Sequence, residues 1–200
     1  MNLFKKIFTR NTPSPESLED GKSSKYMPSE DLPVDEQFML MFTEKGGKFL
    51  YCDNMDEAHD AFQQILLENN WLKPEVCCLQ DTVKAEFANF NLNYSTKNTA
   101  ALYLSDCEYL VSSIGGILVS SNQLKEKKLY ELPDHLVVIA YTSQLIRDIS
   151  EGLQGIKNKT GDIPSNITTI QHFEKKKQDD DFMSYGSSSK NLYLLLIEDL

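Results

Sequence analysis

Along this chain the apolar residues come in short runs, and the spacing within each run predicts an element. Residues 9–36 read "TRNTPSPESLEDGKSSKYMPSEDLPVDE", with four of the seven prolines and few large apolar side chains. Burial cannot offset the entropy of ordering so polar a stretch, which predicts a flexible tail or docking segment over 1–36 and a folded domain over 37–200. "QFMLMF" opens the domain as its first apolar run, and Gly46 and Gly47 then turn the chain into a short strand over residues 48–52. In "DNMDEAHDAFQQILLENNW", Met55, Ala58, Phe62, Ile65 and Leu66 recur at intervals of three and four, and Asn54 precedes Glu57 in the capping-box arrangement. That segment is an amphipathic helix. "PEVCCLQ" follows as another apolar piece, and a mostly polar helix is predicted over residues 81–87.

The second half repeats the alternation more strongly. "TAALYLSDCEYLVSSIGGILVSS" contains two or three short strands, and the nearly continuous aliphatic "HLVVIAY" over residues 135–141 suits a strand buried on both faces. "SQLIRDISEGLQGIK" puts Leu145, Ile149, Leu153 and Ile156 on one helical stripe, and "NLYLLLIEDL" is a closing strand. Strands and helices in alternation predict an α/β fold: a single open domain with a largely parallel sheet, whose ligands sit beyond the carboxyl ends of the strands.

Composition narrows the choice of partner. A chain of 200 residues hides about 70% of its extended surface on folding, so a full core is expected without staples. No apolar stretch reaches the length of a membrane span. With 30 acidic against 20 basic residues the net charge is −10, which argues against nucleic acid, because neutralising phosphates needs a basic face. The start "MNLFKKIFTR" is basic and amphipathic, but it lacks a long apolar core and a cleavage site and would hold a membrane surface only weakly. Cys52, Cys77, Cys78 and Cys107 form no CxxC, and the adjacent pair would point to opposite faces of a strand. Buried, reduced thiols in a cytoplasmic protein are expected, and no metal site.

Candidate chemistry centres on "SSIGGILVSS". Gly115 and Gly116, flanked by Ser112, Ser113, Ser120 and Ser121, offer the backbone N–H groups and hydroxyls from which an anion nest is made. A phosphate loop would place a helix directly after its glycines, whereas "ILVSS" reads as strand, so a tight hairpin or bulge is the competing reading. Acid–base groups are few. His135 opens a buried strand, His59 lies on the predicted helix, and His172 precedes "FEKKKQDDD", whose unbroken acidic run lacks the ligand spacing of a calcium loop. Neither a nucleophile elbow, a Walker loop nor a dinucleotide fingerprint occurs. Cys107 adjoins Glu108, which would blunt it as a nucleophile.

Taken in order, "AALYLSDCEYLVSSIGGILVSSNQ" and "LYELPDHLVVIAYTSQLIRDISEGL" resemble the LUD-domain family (DUF162), which includes the C component of the bacterial lactate-utilisation system. "FTEKGGKFLYCDNMDEAHDAFQQIL" is similar to the family's first strand and helix, so the resemblance spans roughly residues 37–200. The family's turn falls at Ser105 and Asp106, its "etGT" stretch at Ser113, Ile114, Gly115 and Gly116, and its "lP.h" step at Leu132, Pro133 and His135. Ser113 thus stands where the family has an acid, and Gly116 where it has threonine. The resemblance implies a fold like that of ribose-5-phosphate isomerases, glucosamine-6-phosphate deaminases and coenzyme A transferases, with the glycine turn near the ligand. It also implies a part in oxidising L-lactate to pyruvate, in a complex whose partner subunits carry the iron–sulfur clusters while this chain binds no cofactor directly. The expected role is a non-catalytic or accessory subunit; the alternatives are a regulatory or scaffold protein and an independent enzyme acting on a sugar phosphate or acyl-coenzyme A. Ser112, Ser113, Gly115, Gly116 and Ser120 are the residues expected to face a small organic acid or phosphorylated ligand.

Overall fold

The structure, a computed structural model, describes residues 32–159, 164–171 and 190–200. The expected tail falls outside the described residues as far as residue 31, as does the charged loop over 172–185 with His172. The chain orders into α1 (Val34–Glu44), β1 (Lys48–Cys52), α2 (Met55–Glu68), β2 (Glu75–Cys77), α3 (Asp81–Glu86) and β3 (Asn93–Ser95). There follow β4 (Leu102–Ser105), β5 (Tyr109–Val111), β6 (Gly116–Val119), α4 (Ser121–Leu124), β7 (His135–Tyr141), β8 (Leu145–Ile146), α5 (Ile149–Lys159), β9 (Thr168–Ile170) and β10 (Asn191–Ile197).

Six strands form one sheet in the order β1-β10-β7-β4-β2-β3, and every pairing in it is parallel. Side chains alternate across it as the period of two requires. Leu192, Leu194 and Leu196 of β10, with Leu136, Val138 and Ala140 of β7, face one core, while Tyr193, Leu195, Ile197, Val137 and Ile139 face the other. This double burial is why both strands read as continuous apolar runs. Cys77 and Cys78 divide between the two cores in the same way. On the second face α2 lays down Ala58, Phe62 and Ile65 beside Val83 of α3 and Phe87. Its start is capped as the sequence predicts: Glu57 N–H donates to Asn54 Oδ1 at 3.0 Å, and the Glu57 carboxylate accepts from Asp53 N–H at 2.9 Å.

A second sheet, which the sequence reading did not separate from the first, has the order β8-β5-β6-β9 and is mixed. Its inner residues Leu110, Ile117, Val119 and Ile170 share the first core with the parallel sheet, and its outer residues Tyr109, Val111, Leu118 and Ile146 meet Ile156 of α5. The strands are only two to four residues long, too short for periodicity to assign them to a separate layer.

One apolar run receives its element, and one local expectation is corrected. "QFMLMF" is helix: Phe38 and Phe42, one turn apart, are both buried, whereas Leu40 between them is exposed. Leu145 leaves the predicted stripe, because Leu145–Ile146 pair with β5 as a strand and the helix starts only at Ile149. Leu153 is exposed, and the helix presents Gly152 and Ile156 instead. A Cβ at Gly155 would lie 2.3 Å from the Tyr109 hydroxyl, so the glycines let α5 approach closer than side chains allow. Among the described residues no helix is long and apolar enough to cross a membrane.

Candidate functional site

Loops leave an open parallel sheet at the carboxyl ends of its strands, and here side chains from two loops converge on a residue of a third. β4 ends at Ser105, and Asp106 follows at once. Gln80, just beyond β2, donates from Nε2 to Asp106 Oδ1 at 2.6 Å, and Gln123 of α4 donates to the same oxygen at 2.9 Å. Neither carboxamide can be turned over. Gln80 Oε1 accepts from the Ser105 hydroxyl at 2.8 Å and from Asp106 N–H at 3.2 Å, and Gln123 Oε1 accepts from Ser120 N–H at 2.9 Å. A backbone N–H only donates, so each Oε1 must face it and each Nε2 must face Asp106.

Ser120 fixes Gln123 by capping α4. Its Oγ accepts from Asn122 N–H at 3.0 Å and donates to Glu108 Oε1 at 2.6 Å, where the Asn122 side chain also donates at 2.8 Å. The Tyr103 hydroxyl donates to Gln123 O at 2.8 Å from within the core. Farther along the edge, the Asp199 carboxylate after β10 accepts from Thr142 Oγ1 at 2.8 Å, Ser143 N–H at 2.9 Å and Ser143 Oγ at 2.6 Å.

Both signs of charge meet along this edge: Lys84 and Lys127 act on Cys78 and Cys77 at the end of β2, and acids act on the groups beside them. Glu86 is raised above the ordinary carboxyl range by burial and then by Asp106. Tyr141 is raised by burial, Glu86, Asp199 and Asp106 in that order. Burial pushes Cys107 well above the usual thiol range, and Asp106 and Glu108 add to it; Cys78 is likewise raised, chiefly by burial. These thiols are protonated and poor nucleophiles near neutral pH. Imidazole is no better supplied. His59 Nε2 bonds to Glu86 O at 3.0 Å with its ring against Phe87 and Phe90, and His135 lies at the opposite, amino edge against Trp71.

Residues 81–197 match the LUD domain family, more than half of the chain. The chain belongs to the LUD domain family. A crystal structure of a DUF162 family protein from Deinococcus radiodurans is similar to it with a TM-score of 0.58 and 12% identity, over 83% of this chain and 96% of that one. At that identity the likeness is one of fold. No curated protein matches the chain.

In this LUD domain the residues singled out from the sequence divide between two places. Ser120 belongs to the Asp106 network. Ser112, Ser113, Gly115 and Gly116 form the other end of β6, a turn on which α1 rests: Ser112 Oγ donates to Val34 O at 2.7 Å, and Ser113 N–H to Arg147 O at 3.0 Å. Gly115 has φ +51°, and a Cβ there would lie 2.4 Å from the Met41 carbonyl carbon and 2.5 Å from Phe42 N. Lys45 donates to Ile114 O beside it, and burial lowers that ammonium below its usual range. The turn is thus the antiparallel hairpin between β5 and β6, closed under a helix.

Sequence reasoning passed over Gln80, Gln123, Tyr141 and Asp199, and took Asp106 only as part of a turn. Two signals were available: Ser120 with Gln123 is a Ser-x-x-Gln capping box, and Asp106 is the first polar residue past a buried parallel strand. Among the described residues no three His, Cys, Asp or Glu side chains gather as metal ligands.

Proposed function

We propose that this LUD domain serves an L-lactate utilisation system in the cytoplasm as a non-catalytic or accessory subunit, with the iron–sulfur clusters carried by partner chains. Family membership supports the system. The observation that carries the accessory role is the chemistry at the carboxyl edge, where thiols are held protonated, the His59 imidazole is bonded to the Glu86 carbonyl, and His135 lies at the amino edge. Cluster ligation needs several thiolates around one centre, and the four cysteines are instead buried and split between two cores. The parallel sheet supports kinship with the fold of ribose-5-phosphate isomerases and coenzyme A transferases, which by itself says nothing of a reaction.

Purification of the full chain from cells grown on L-lactate tests this directly. Iron–sulfur chains are expected to come with it, and the purified chain alone is expected not to turn over lactate. Lactate oxidation by a partner-free sample, or repeated recovery of the chain without any cluster-bearing partner, would overturn the assignment.

A further inference from the structure

β10 lies inside the parallel sheet, paired with β1 on one side and with β7 on the other. The alternate positions on its first-core face run Lys190, Leu192, Leu194, Leu196 and Glu198, three identical buried side chains bounded by a cation and an acid. Beside them β7 presents Leu136, Val138 and Ala140, which are apolar throughout. A strand with one wet face has its register fixed by which residues must stay dry, but β10 is apolar toward both cores and lacks that constraint. A slip of two residues keeps every side chain on its own face and sets leucine into leucine's place.

The ends of the strand break this equivalence. Lys190 is only 4% exposed, and its Nζ donates to Leu132 O at 2.8 Å and to Asp134 Oδ1 at 3.4 Å, both ahead of β7. Two residues toward the carboxyl edge it would take the place of Leu192 beside Leu136, within the core and away from both acceptors. Glu198 accepts from the Tyr51 hydroxyl, and two residues the other way its carboxylate would take the place of Leu196 beside Ala140. Either move puts a charge among apolar side chains, where an ion without partners is most costly. The Tyr193 hydroxyl, which accepts from Lys48 Nζ at 2.6 Å and Asn69 Nδ2 at 3.1 Å on the second face, is lost equally in both directions. We propose that the two end charges set the register of β10, Lys190 barring a slip toward the carboxyl edge and Glu198 a slip toward the amino edge. The same register places Asp199, which a two-residue slip would carry about 7 Å from Thr142 and Ser143.

Cross-strand nuclear Overhauser contacts in the full chain read the register directly. The native chain is expected to show Leu194 beside Val138 and no other pairing at that position. Lys190→Met keeps the length of the side chain without its charge; it is expected to fold and to add a second set of contacts with Leu192 beside Val138, its β10 amides exchanging about tenfold faster. Glu198→Met is expected to add the opposite set, with Leu196 beside Val138. Native contacts alone in either folded variant, or slip in the same direction in both, would overturn the proposal. If Lys190→Met does not fold, Glu198→Met, at a partly exposed position, decides alone: Leu196 beside Val138 supports the end charges as the lock, and the native pairing by itself overturns it.

Discussion

At the start of β6 the Ser112–Gly116 turn faces inward, and its polar atoms are used to seat α1; at the end of β6, four residues on, Ser120 faces the edge of the parallel sheet and its polar atoms fix Gln123, which fixes Asp106. Both ends are serines beside a short apolar strand, and the sequence marks one with a glycine pair and the other with a Ser-x-x-Gln cap without saying which faces a helix. What differs is the neighbour. A helix backbone lies over Gly115, leaving no room for a side chain or a ligand, whereas past Ser120 the neighbours are loop residues that leave a carboxylate oxygen presented. Glycines and serines in sequence therefore mark where the backbone is tight or polar, and only the packing says whether the tightness serves a helix or a site.

The largest effect is expected at the inward end. Gly115→Val places a β-branched side chain at φ +51° and drives it into the backbone of Met41 and Phe42, which cannot move without displacing α1. A loss of about 3 kcal/mol or more is expected in chemical denaturation. A variant as stable as the parent would mean that α1 does not rest on this turn.

Intermediate effects belong to the outward end. Gln123→Ala removes one of two donors to Asp106 and leaves Ser120 N–H without its acceptor, and should cost about 1–3 kcal/mol. Ser120→Ala, which removes the cap hydroxyl and its bond to Glu108 but leaves both carboxamides on Asp106, should cost about 1 kcal/mol. If the two losses, measured by thermal unfolding, came in the reverse order, the network would not converge on Asp106 through Gln123.

The smallest effect is a pH dependence. Burial opposes the charge of Asp199, but the hydrogen bonds from Ser143 and Thr142 together hold it below its ordinary value of 3.8. The unfolded chain then binds the proton more readily than the folded one, so this contribution is present above about pH 4 and is lost as the pH falls through the depressed folded value. Ser143→Ala should flatten the acid limb of the stability curve slightly; an unchanged limb would show that the Asp199 hydrogen bonds do not favour the charged form.

The strands β7 and β10, the helix α2 with its Asn54 cap, and the turn before β1 were legible in the sequence, because each rests on interactions within a dozen residues or on a continuous apolar run. The helix α1 was not read as one: with Phe38 and Phe42 buried and three intervening residues also apolar or long, no period of 3.6 stands out. The second sheet was lost because strands of two to four residues carry no periodicity. Asp106 was assigned to a turn and no further, since its partners lie 26 and 17 residues away.

The sequence by itself determined an α/β chain with doubly buried strands, an acidic surface and single, buried thiols, because composition, alternation and helical period are local quantities that each segment displays alone. Tertiary structure alone decided that the glycine turn supports α1 and that Gln80, Asp106 and Gln123 converge. The physical reason is that a hydrogen-bond donor is defined by its residue type but its acceptor by distance, and three segments meet at the carboxyl edge only once the parallel sheet has set the ends of β2 and β4 side by side.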